Sequence, residues 1–323
     1  MIITKTPLRI GFVGGGTDIP EYYRKHGGLL VSAAINKYIY IVVNKKFDDE
    51  IRISYSKTEM VKTVNEIEHP SIREALKLLN IDGGIEILSI SDIPSTGTGL
   101  GSSSTFLVGL LNALHAYKSE FVSREDLARE AVKIEREILR EPGGKQDQYM
   151  AAHGGIQLIE FKKNEEVSLK RINIKGEELS EFNDQLLMFY TGIERKSAEV
   201  HRDQGNKIDD NLPHYDRMRD IAFETYDALI NKKYEELGKL MDENWQLKKN
   251  LSNHISNGKI DDWYSTAKKS GARGGKLIGA GGGGFLLFTA PLESQNHVMN
   301  SLNMLERYRF QIENLGSRVI YLE

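Results

Sequence analysis

The sequence predicts an α+β protein with two lobes. Its 323 residues exceed what a single hydrophobic core usually serves, so two domains are the default. Strand-like segments rich in Ile, Val and Tyr precede helical segments, and this order restarts at DQLLMFYTG after a charged stretch. Glycine-rich turns recur in both halves. We therefore predict domains at residues 1–182 and 183–323, with the glycine turns meeting at a cleft.

The composition predicts a soluble, cytoplasmic protein. Its hydrophobic content is 40% and its charged content 28%, as in ordinary globular proteins. A net charge of −3 gives no general attraction to nucleic acid or to an anionic membrane. The chain has no cysteine, which excludes disulfides and thiolate metal sites. No run of about 18 apolar residues could span a bilayer, and MIITKTPLRIGF lacks the continuous apolar core of a signal peptide.

In the first half, strands are predicted before helices. Segments rich in β-branched residues predict strands at LRIGFV, LLVSAAINKYIYIVVNKKF and IRISYS, and alternation predicts another at GIEILSISDIP. HPSIREALKLLN predicts a short helix with Ser71 as its cap. Helices follow over residues 105–117 and from Ser123 to about Arg140, where Ser123 and Asp126 form an imperfect capping box.

The second half repeats this order. GIQLIEF predicts a strand, and the charged segment FKKNEEVSLKRINIKGEELSEFND carries no clear site. After the strand in DQLLMFYTG, two long helical patterns run from about Leu212 to Leu251. An apolar strand follows the cluster GAGGGG, and the tail ends with a helix and the strand SRVIYLE.

The segment PSTGTGLGSSSTFL, residues 94–107, has the composition of a phosphate-binding loop. Glycines let backbone N–H groups approach a ligand, and the following helix start adds unpaired N–H donors and the positive end of a dipole. A flexible connector is the alternative, but connectors rarely adjoin a well-formed apolar helix. No lysine follows the glycines as in a P-loop, and serines replace the third glycine of a dinucleotide fingerprint.

Three further glycine turns are present, and two of them carry polar residues that a simple turn does not require. PLRIGFVGGGTDIPEYY contains Arg9 and Asp18, and GAGGGG covers residues 279–284. IEREILREPGGKQDQYMAAHGG places Glu135 in a helix and Asp147 beyond a tight turn. Each residue also has a structural interpretation: Arg9 as a surface strand residue, Glu135 on a solvated helix face, Asp147 as a turn stabiliser and Asp18 as a helix cap.

Four such segments in this order, from Pro7 to Phe288, resemble the GHMP kinase superfamily. The resemblance implies an N-terminal lobe like ribosomal protein S5 domain 2 and a C-terminal ferredoxin-like α/β lobe, with the active site between them. The first turn, GGGTD, is similar to that of the D-glycero-D-manno-heptose 7-phosphate kinase branch. Galactokinases have a GEHTDY-type turn there, and fucokinase domains, with GGWTD, are the nearest rival. Ser104 departs from the family pattern, in which many members have alanine.

The resemblance also implies roles for residues and assigns ATP and Mg²⁺ as cofactors. Asp147 lies near the acceptor hydroxyl, and Arg9 beside it favours the ionised carboxylate and steadies the transferring phosphoryl group. Ser103, with Ser102 or Ser104 as alternatives, joins Glu135 in binding Mg²⁺. The residues implied to bind the ATP phosphates are Gly97, Thr98, Gly99, Leu100, Gly101, Ser102, Ser103 and Ser104; those implied to bind the substrate are Gly15, Gly16, Thr17, Asp18, Gly282 and Gly283.

A phosphorylated sugar would also need cations for its dianionic group. Arg195 and Lys196 lie at a predicted strand-to-helix junction opening the second lobe, and we predict that they bind that phosphate. A solvated basic turn is the alternative for this pair, and Lys145 is a competing cation.

The leading functional hypothesis is an ATP-dependent kinase that phosphorylates the anomeric hydroxyl of D-glycero-D-manno-heptose 7-phosphate. The branch implies that the 1,7-bisphosphate product serves nucleotide-activated heptose and surface polysaccharide synthesis. A kinase of an unphosphorylated sugar such as fucose or galactose is the second hypothesis. A non-catalytic sugar sensor is the third, and a diphosphomevalonate decarboxylase a distant fourth.

Overall fold

Two β-sheets, each covered by helices, organise the chain, which the computed structural model describes over residues 1–93, 97–194 and 197–323. The strands are β1 (Ile2–Val13), β2 (Gly28–Lys45), β3 (Ile51–Ser54), β4 (Thr58–Val61), β5 (Ile85–Ser91), β6 (Ile156–Phe161), β7 (Val167–Ile172), β8 (Leu186–Tyr190), β9 (Gly274–Leu277), β10 (Phe285–Thr289), β11 (Glu306–Arg307) and β12 (Arg318–Leu322). The helices are α1 (Pro20–His26), α2 (Pro70–Leu78), α3 (Ser102–Tyr117), α4 (Arg124–Val132), α5 (Gln146–His153), α6 (Gly176–Asp184), α7 (Ser197–Asn206), α8 (Leu212–Ile230), α9 (Glu236–Lys249), α10 (Gly258–Lys269) and α11 (Leu292–Ser301).

The first sheet is built around the long strand β2. Its strands run in the order β12-β1-β2-β5-β3-β4, and β6, with β7 at its far side, pairs with the other half of β2. Residues 28–33 of β2 pair with β6, whereas residues 39–45 pair with β5, so one strand serves two branches of the sheet. Helices α3 and α5 pack against β1 and β2.

The second sheet is antiparallel, with the order β11-β8-β10-β9. Helix α9 packs on β9, while its neighbour α8 packs on β2 of the first sheet, so this helix pair joins the two layers. Trp245 of α9 is fully buried in the second core. The predicted α+β architecture in two lobes is confirmed. Among the described residues, no helix combines the length and apolar character needed to cross a bilayer.

The C-terminal end of the chain returns to the first sheet. Strand β12 pairs antiparallel with β1, so the C-terminus forms an edge of the first sheet. The predicted division between residues 182 and 183 falls inside α6. Asn183, just beyond it, accepts a hydrogen bond from the backbone N–H of Ile312 at 2.9 Å. The division into residues 1–182 and 183–323 stays a prediction.

Helix ends show where local signals decided the structure. Ser123 caps α4 as predicted, because its Oγ accepts the backbone N–H of Asp126 at 3.1 Å. The Ser71 cap is wrong: α2 begins at Pro70, and Ser71 is buried inside its first turn. The predicted helix from Ser123 to Arg140 changes character after α4, because residues 133–138 form a π-helical turn.

Two of the predicted glycine turns contact each other directly. A Cβ on Gly279 would lie 2.7 Å from the Cα of Gly99, and a Cβ on Gly99 would lie 2.6 Å from the carbonyl oxygen of Ile278. The φ angle is also positive at both residues, +75° at Gly99 and +79° at Gly279. The backbones of the two lobes therefore meet at a distance that a side chain would prevent.

We expect Gly279→Ala to lower the free energy of unfolding more than Gly176→Ala does. Both glycines have positive φ, which costs alanine about 1 kcal/mol, but a Cβ on Gly176 meets no atom within 4 Å. The crowding at Gly279 should add about 1–3 kcal/mol. Urea unfolding of the two variants measures the difference, and equal losses would show that the two turns separate without cost.

Candidate active site

Residues 97–104, called the serine loop here, lead into α3 and place backbone donors at a cavity. Helix α3 begins at Ser102, and its first helical hydrogen bond runs from the N–H of Thr105 to the carbonyl of Gly101 at 2.9 Å. The N–H groups before Thr105 therefore have no helical acceptor. The adjoining cavity, called the loop cavity here, has a volume of about 360 Å³. Its lining includes Gly97, Thr98, Gly99, Gly101, Ser102, Ser103, Ser104 and Glu135.

Strand β1 holds this loop in place. The N–H of Arg9 donates to the carbonyl of Leu100 at 3.1 Å, and the Arg9 guanidinium donates to the carbonyl of Gly99 at 2.5 Å. Leu100, which the family resemblance implies to bind ATP, has a fully buried side chain in the first core. It anchors the loop and is not among the residues that line the loop cavity.

Arg9 and Asp147 form a bidentate ion pair. Nε and Nη2 of Arg9 donate to the two carboxylate oxygens of Asp147 at 2.7 and 2.8 Å. The Arg9 side chain is 5% exposed and that of Asp147 is 23% exposed. Burial raises the pKa of Asp147, but the charge and hydrogen bonds of Arg9, helped by Arg136, outweigh it and bring that pKa below its ordinary value. Asp147 is therefore a fixed carboxylate at neutral pH.

Two serine hydroxyl groups contact Glu135, which also lines the loop cavity. Glu135 lies in the π-helical turn, Lys133–Ile138, and is 1% exposed. Ser103 and Ser104 donate to its two oxygens at 2.9 and 2.7 Å, and the side-chain amide of Gln148 also donates to it. One carboxylate and two hydroxyls therefore converge where the sequence predicts a metal site.

A second cavity, called the inner cavity, lies on the other side of the Arg9–Asp147 pair. Gly15, Gly16 and Asp18 of the GGGTD turn line it. Asp18 accepts the N–H groups of Gly16 at 3.0 Å and Gln146 at 3.3 Å. A Cβ on Gly144 would lie 1.7 Å from the Asp18 carboxylate, so only glycine fits there. Burial raises the pKa of Asp18 above its ordinary value despite these amide donors.

Thr17 has a structural environment within the same turn. It is fully buried, and its hydroxyl donates to the carbonyls of Gly14 and Leu29, each at 2.9 Å. The N–H of Leu29 donates back to that hydroxyl at 3.0 Å. Thr17 thus fastens the GGGTD turn to β2 and does not line the inner cavity.

The GAGGGG turn meets the cavities at its start. Gly279 and Ala280 line both the loop cavity and the inner cavity. Gly282 donates its N–H to the carbonyl of Ile255 at 2.6 Å, and Gly283 packs against the backbone that precedes α7. Neither Gly282 nor Gly283 lines these cavities, so the substrate-binding role predicted for them stays a prediction without support from their position.

Three basic residues were considered from sequence as partners of a sugar phosphate, Arg195, Lys196 and Lys145. Arg195 and Lys196 lie outside the described residues, and their role stays a prediction. Lys145 pairs with Glu165, and its amine lies 4.8 Å from the centre of the Tyr23 ring. Lys145 is therefore engaged away from the two cavities.

Several basic side chains at the inner cavity are not among the residues predicted from sequence. Arg136 and His201 line both cavities, and Lys248 and Lys276 line the inner one. Lys276 is 2% exposed. Burial, with the nearby charges of Lys248 and Arg9, lowers the pKa of the Lys276 amine well below its ordinary value. A lysine inside the apolar strand of GGKLIGAGGGG was the signal that could have identified it.

Comparison with known proteins assigns this architecture to a family. The pattern of the GHMP kinases N terminal domain matches residues 70–155, and that of the GHMP kinases C terminal matches residues 225–304. A D-glycero-alpha-D-manno-heptose 7-phosphate kinase of Campylobacter jejuni is 30% identical over 330 residues, covering 95% of this chain and 94% of that protein. This chain belongs to the GHMP kinases.

Further similarities place this GHMP kinase among sugar kinases. An L-fucokinase/L-fucose-1-P guanylyltransferase of Bacteroides fragilis is 26% identical, over 88% of this chain and 34% of that longer protein. A crystal structure of a D-glycero-D-manno-heptose 1-phosphate kinase from Bacteroides thetaiotaomicron matches with a TM-score of 0.83 and 25% identity, covering 100% of both chains. The predicted GHMP kinase fold is confirmed, and the protein is a kinase that transfers a phosphate to a sugar hydroxyl.

We expect Lys276→Met to stabilise the protein and to lower its turnover. Removing a buried amine should raise the free energy of unfolding by about 1 kcal/mol at neutral pH, or Tm by about 2 °C. The pKa of Lys276 is lower in the folded chain than in the unfolded chain, so the unfolded chain binds more protons between those pKa values. Wild-type stability therefore rises with pH through that window, and the advantage of the variant should shrink toward pH 10.

The matched control is Lys239→Met, at an exposed position of α9. Thermal unfolding at several pH values and steady-state turnover are the measurements. A Lys276→Met variant that is less stable than wild type, or that keeps full turnover, would contradict this interpretation of Lys276.

Proposed function

We propose that the protein transfers the γ-phosphate of ATP to the anomeric hydroxyl of D-glycero-D-manno-heptose 7-phosphate, giving the 1,7-bisphosphate. The observation that carries this proposal is the position of the Arg9–Asp147 pair. Both residues line the loop cavity and the inner cavity, so a donor in one and an acceptor in the other would meet at this pair. Phosphoryl transfer needs mainly such positioning and charge neutralisation.

The loop cavity suits the donor. Its glycine backbone and the start of α3 offer unpaired N–H groups to phosphate oxygens. Arg9 can stabilise charge on the transferring group because its guanidinium is already oriented by Asp147 and by the carbonyl of Gly99.

The oxygen donors around Glu135 fit Mg²⁺. A carboxylate and the hydroxyls of Ser103 and Ser104 converge there. Mg²⁺ prefers oxygen ligands, which usually come from one or two protein groups together with phosphates and water. We propose that Glu135 and Ser103 hold the ion, since Ser103 is the exposed hydroxyl of the two. When bound, Mg²⁺ would neutralise charge on the nucleotide phosphates.

The inner cavity, with a volume of about 60 Å³, offers polar groups to the reacting end of a sugar. Asp18 offers carboxylate oxygens to hydroxyl groups, and we propose that Asp147 orients the reacting hydroxyl and accepts its proton. The low pKa of Asp147 makes it a weak base before the reaction, so its orienting role precedes proton transfer. An anionic group bound beside Lys276 would restore the charged form of that amine.

Sugar identity is the finer part of the proposal. It is supported by the GGGTD turn and by the similarity to a D-glycero-alpha-D-manno-heptose 7-phosphate kinase over 95% of the chain. Turnover of ATP·Mg with heptose 7-phosphate, fucose and galactose tests it, with ADP release as the readout. A preference for fucose or galactose would reject the heptose assignment and keep the sugar kinase.

Asp147→Asn should reduce kcat by about 10²–10⁴-fold, because the variant loses both the proton acceptor and the charge that orients Arg9. It should also lower Tm, since a buried guanidinium loses its charged partner. Nucleotide affinity of the folded variant is the control. Turnover within about twofold of wild type would remove Asp147 from the mechanism.

Glu135→Gln should raise the Mg²⁺ concentration needed for half-maximal turnover by about tenfold, because an amide is a weaker ligand for a hard cation than a carboxylate. Glu137→Gln is the matched control, an exposed carboxylate in the same π-helical turn. Mg²⁺ titrations that coincide for the two variants would assign the ion to other ligands.

A further inference from the structure

A third cavity adjoins the inner cavity and is lined by guanidinium groups. It has a volume of about 430 Å³, and Arg136, Arg140 and Arg202 line it. We call it the arginine cavity. Arg136 and His201 also line the inner cavity and the loop cavity, and Glu141 and Pro142 line the loop cavity as well, so the arginine cavity adjoins both.

Three chain segments pass directly from the inner cavity to the arginine cavity. The chain that leaves the GGGTD turn lines the inner cavity with Asp18 and the arginine cavity with Ile19, Pro20 and Glu21. The turn before α5 lines the inner cavity with Gly144 and the arginine cavity with Gly143. Helix α7 lines the inner cavity with Gln204 and the arginine cavity with Arg202 and Gly205. An acceptor seated in the inner cavity could therefore extend into the arginine cavity.

The guanidinium groups differ in how they are held. Arg136 donates to the backbone carbonyls of Gly144 at 2.9 Å and Glu141 at 3.1 Å, which fixes its plane. Arg140 has φ +54°, a strained conformation for a non-glycine residue, at the end of the π-helical turn. Arg140 and Arg202 are exposed, and neither forms an ion pair with a residue in the described ranges.

The charge of the cavity favours an anion. Three guanidinium groups face two carboxylates, Glu21 and Glu141. A guanidinium fork matches the oxygens of a phosphate in pairs.

We propose that the arginine cavity binds the phosphate group that the acceptor sugar already carries, through Arg140 and Arg202 with Arg136 as the fixed member. This rests on the proposed function, because a sugar with its phosphate far from the anomeric hydroxyl needs two joined compartments. The reacting hydroxyl occupies the inner cavity and the dianion occupies the arginine cavity. The site is separate from Arg195 and Lys196, the pair predicted from sequence.

The test compares heptose 7-phosphate with the same heptose lacking the phosphate, using the full chain with ATP·Mg. The Arg140→Ala/Arg202→Ala variant should lower the ratio of the two kcat/KM values by about ten- to hundredfold. The Arg140→Lys/Arg202→Lys variant should lose less, because it keeps the charge and loses only the fork. Arg52→Ala, at an exposed arginine of β3, is the matched control for loss of charge and should keep the wild-type ratio.

Several outcomes would overturn the assignment. An equal loss on both sugars would indicate a structural role, and a raised KM for ATP would assign the cavity to the nucleotide. If only Arg195→Ala/Lys196→Ala lowers the ratio, the phosphate binds at that pair of residues instead. A wild-type enzyme that ignores heptose 7-phosphate but uses an unphosphorylated sugar would reject the proposed function itself, and the inference with it.

Discussion

The ion pair between Arg9 and Asp147 is the interaction on which the arrangement of the site depends. It joins β1 to the start of α5, and the same guanidinium reaches the carbonyl of Gly99 in the serine loop. One buried side chain therefore sets the positions of three segments that are distant in sequence. Since both carboxylate oxygens are engaged, Asp147 has one orientation and a lowered pKa.

Backbone contact between glycine turns holds the two lobes together at the same place. Gly99 belongs to the serine loop of the first lobe, and Gly279 belongs to the turn between β9 and β10 in the second sheet. Their backbones approach so closely that the loop cavity and the inner cavity share Gly279 and Ala280 as a wall. A glycine and an alanine thus form part of the lining of both cavities.

Basic side chains outnumber carboxylates among the described residues that line the inner cavity. Lys276 and Lys248 join Arg9 there, opposed by Asp18 and Asp147. A buried amine with a lowered pKa weakens the folded state, and it gains its charge when an anion approaches. The same reasoning applies to the arginine cavity, where a bound dianion would complete a balance that the protein leaves open.

Sequence by itself determined many of the elements and named residues that the fold brings to the cavities. Strands β1, β2, β3, β5, β6, β8, β10 and β12, the long helices of the second half and the four glycine turns follow from local patterns, and motif order identified the family. Motif order also named Arg9, Glu135 and Asp147, which the fold brings to neighbouring cavities. These are features in which residue type and spacing carry the information.

Only the tertiary structure decided which neighbours each of these residues has. The pairing of β12 with β1, the contact of Gly99 with Gly279, and the burial of Lys276 all join residues that are far apart in the chain. Thr17 and Leu100 belong to the motifs, yet they hold the turns in place rather than line a cavity. Local patterns report backbone preference and polarity, whereas burial, charge balance and cavity walls arise from packing between distant segments.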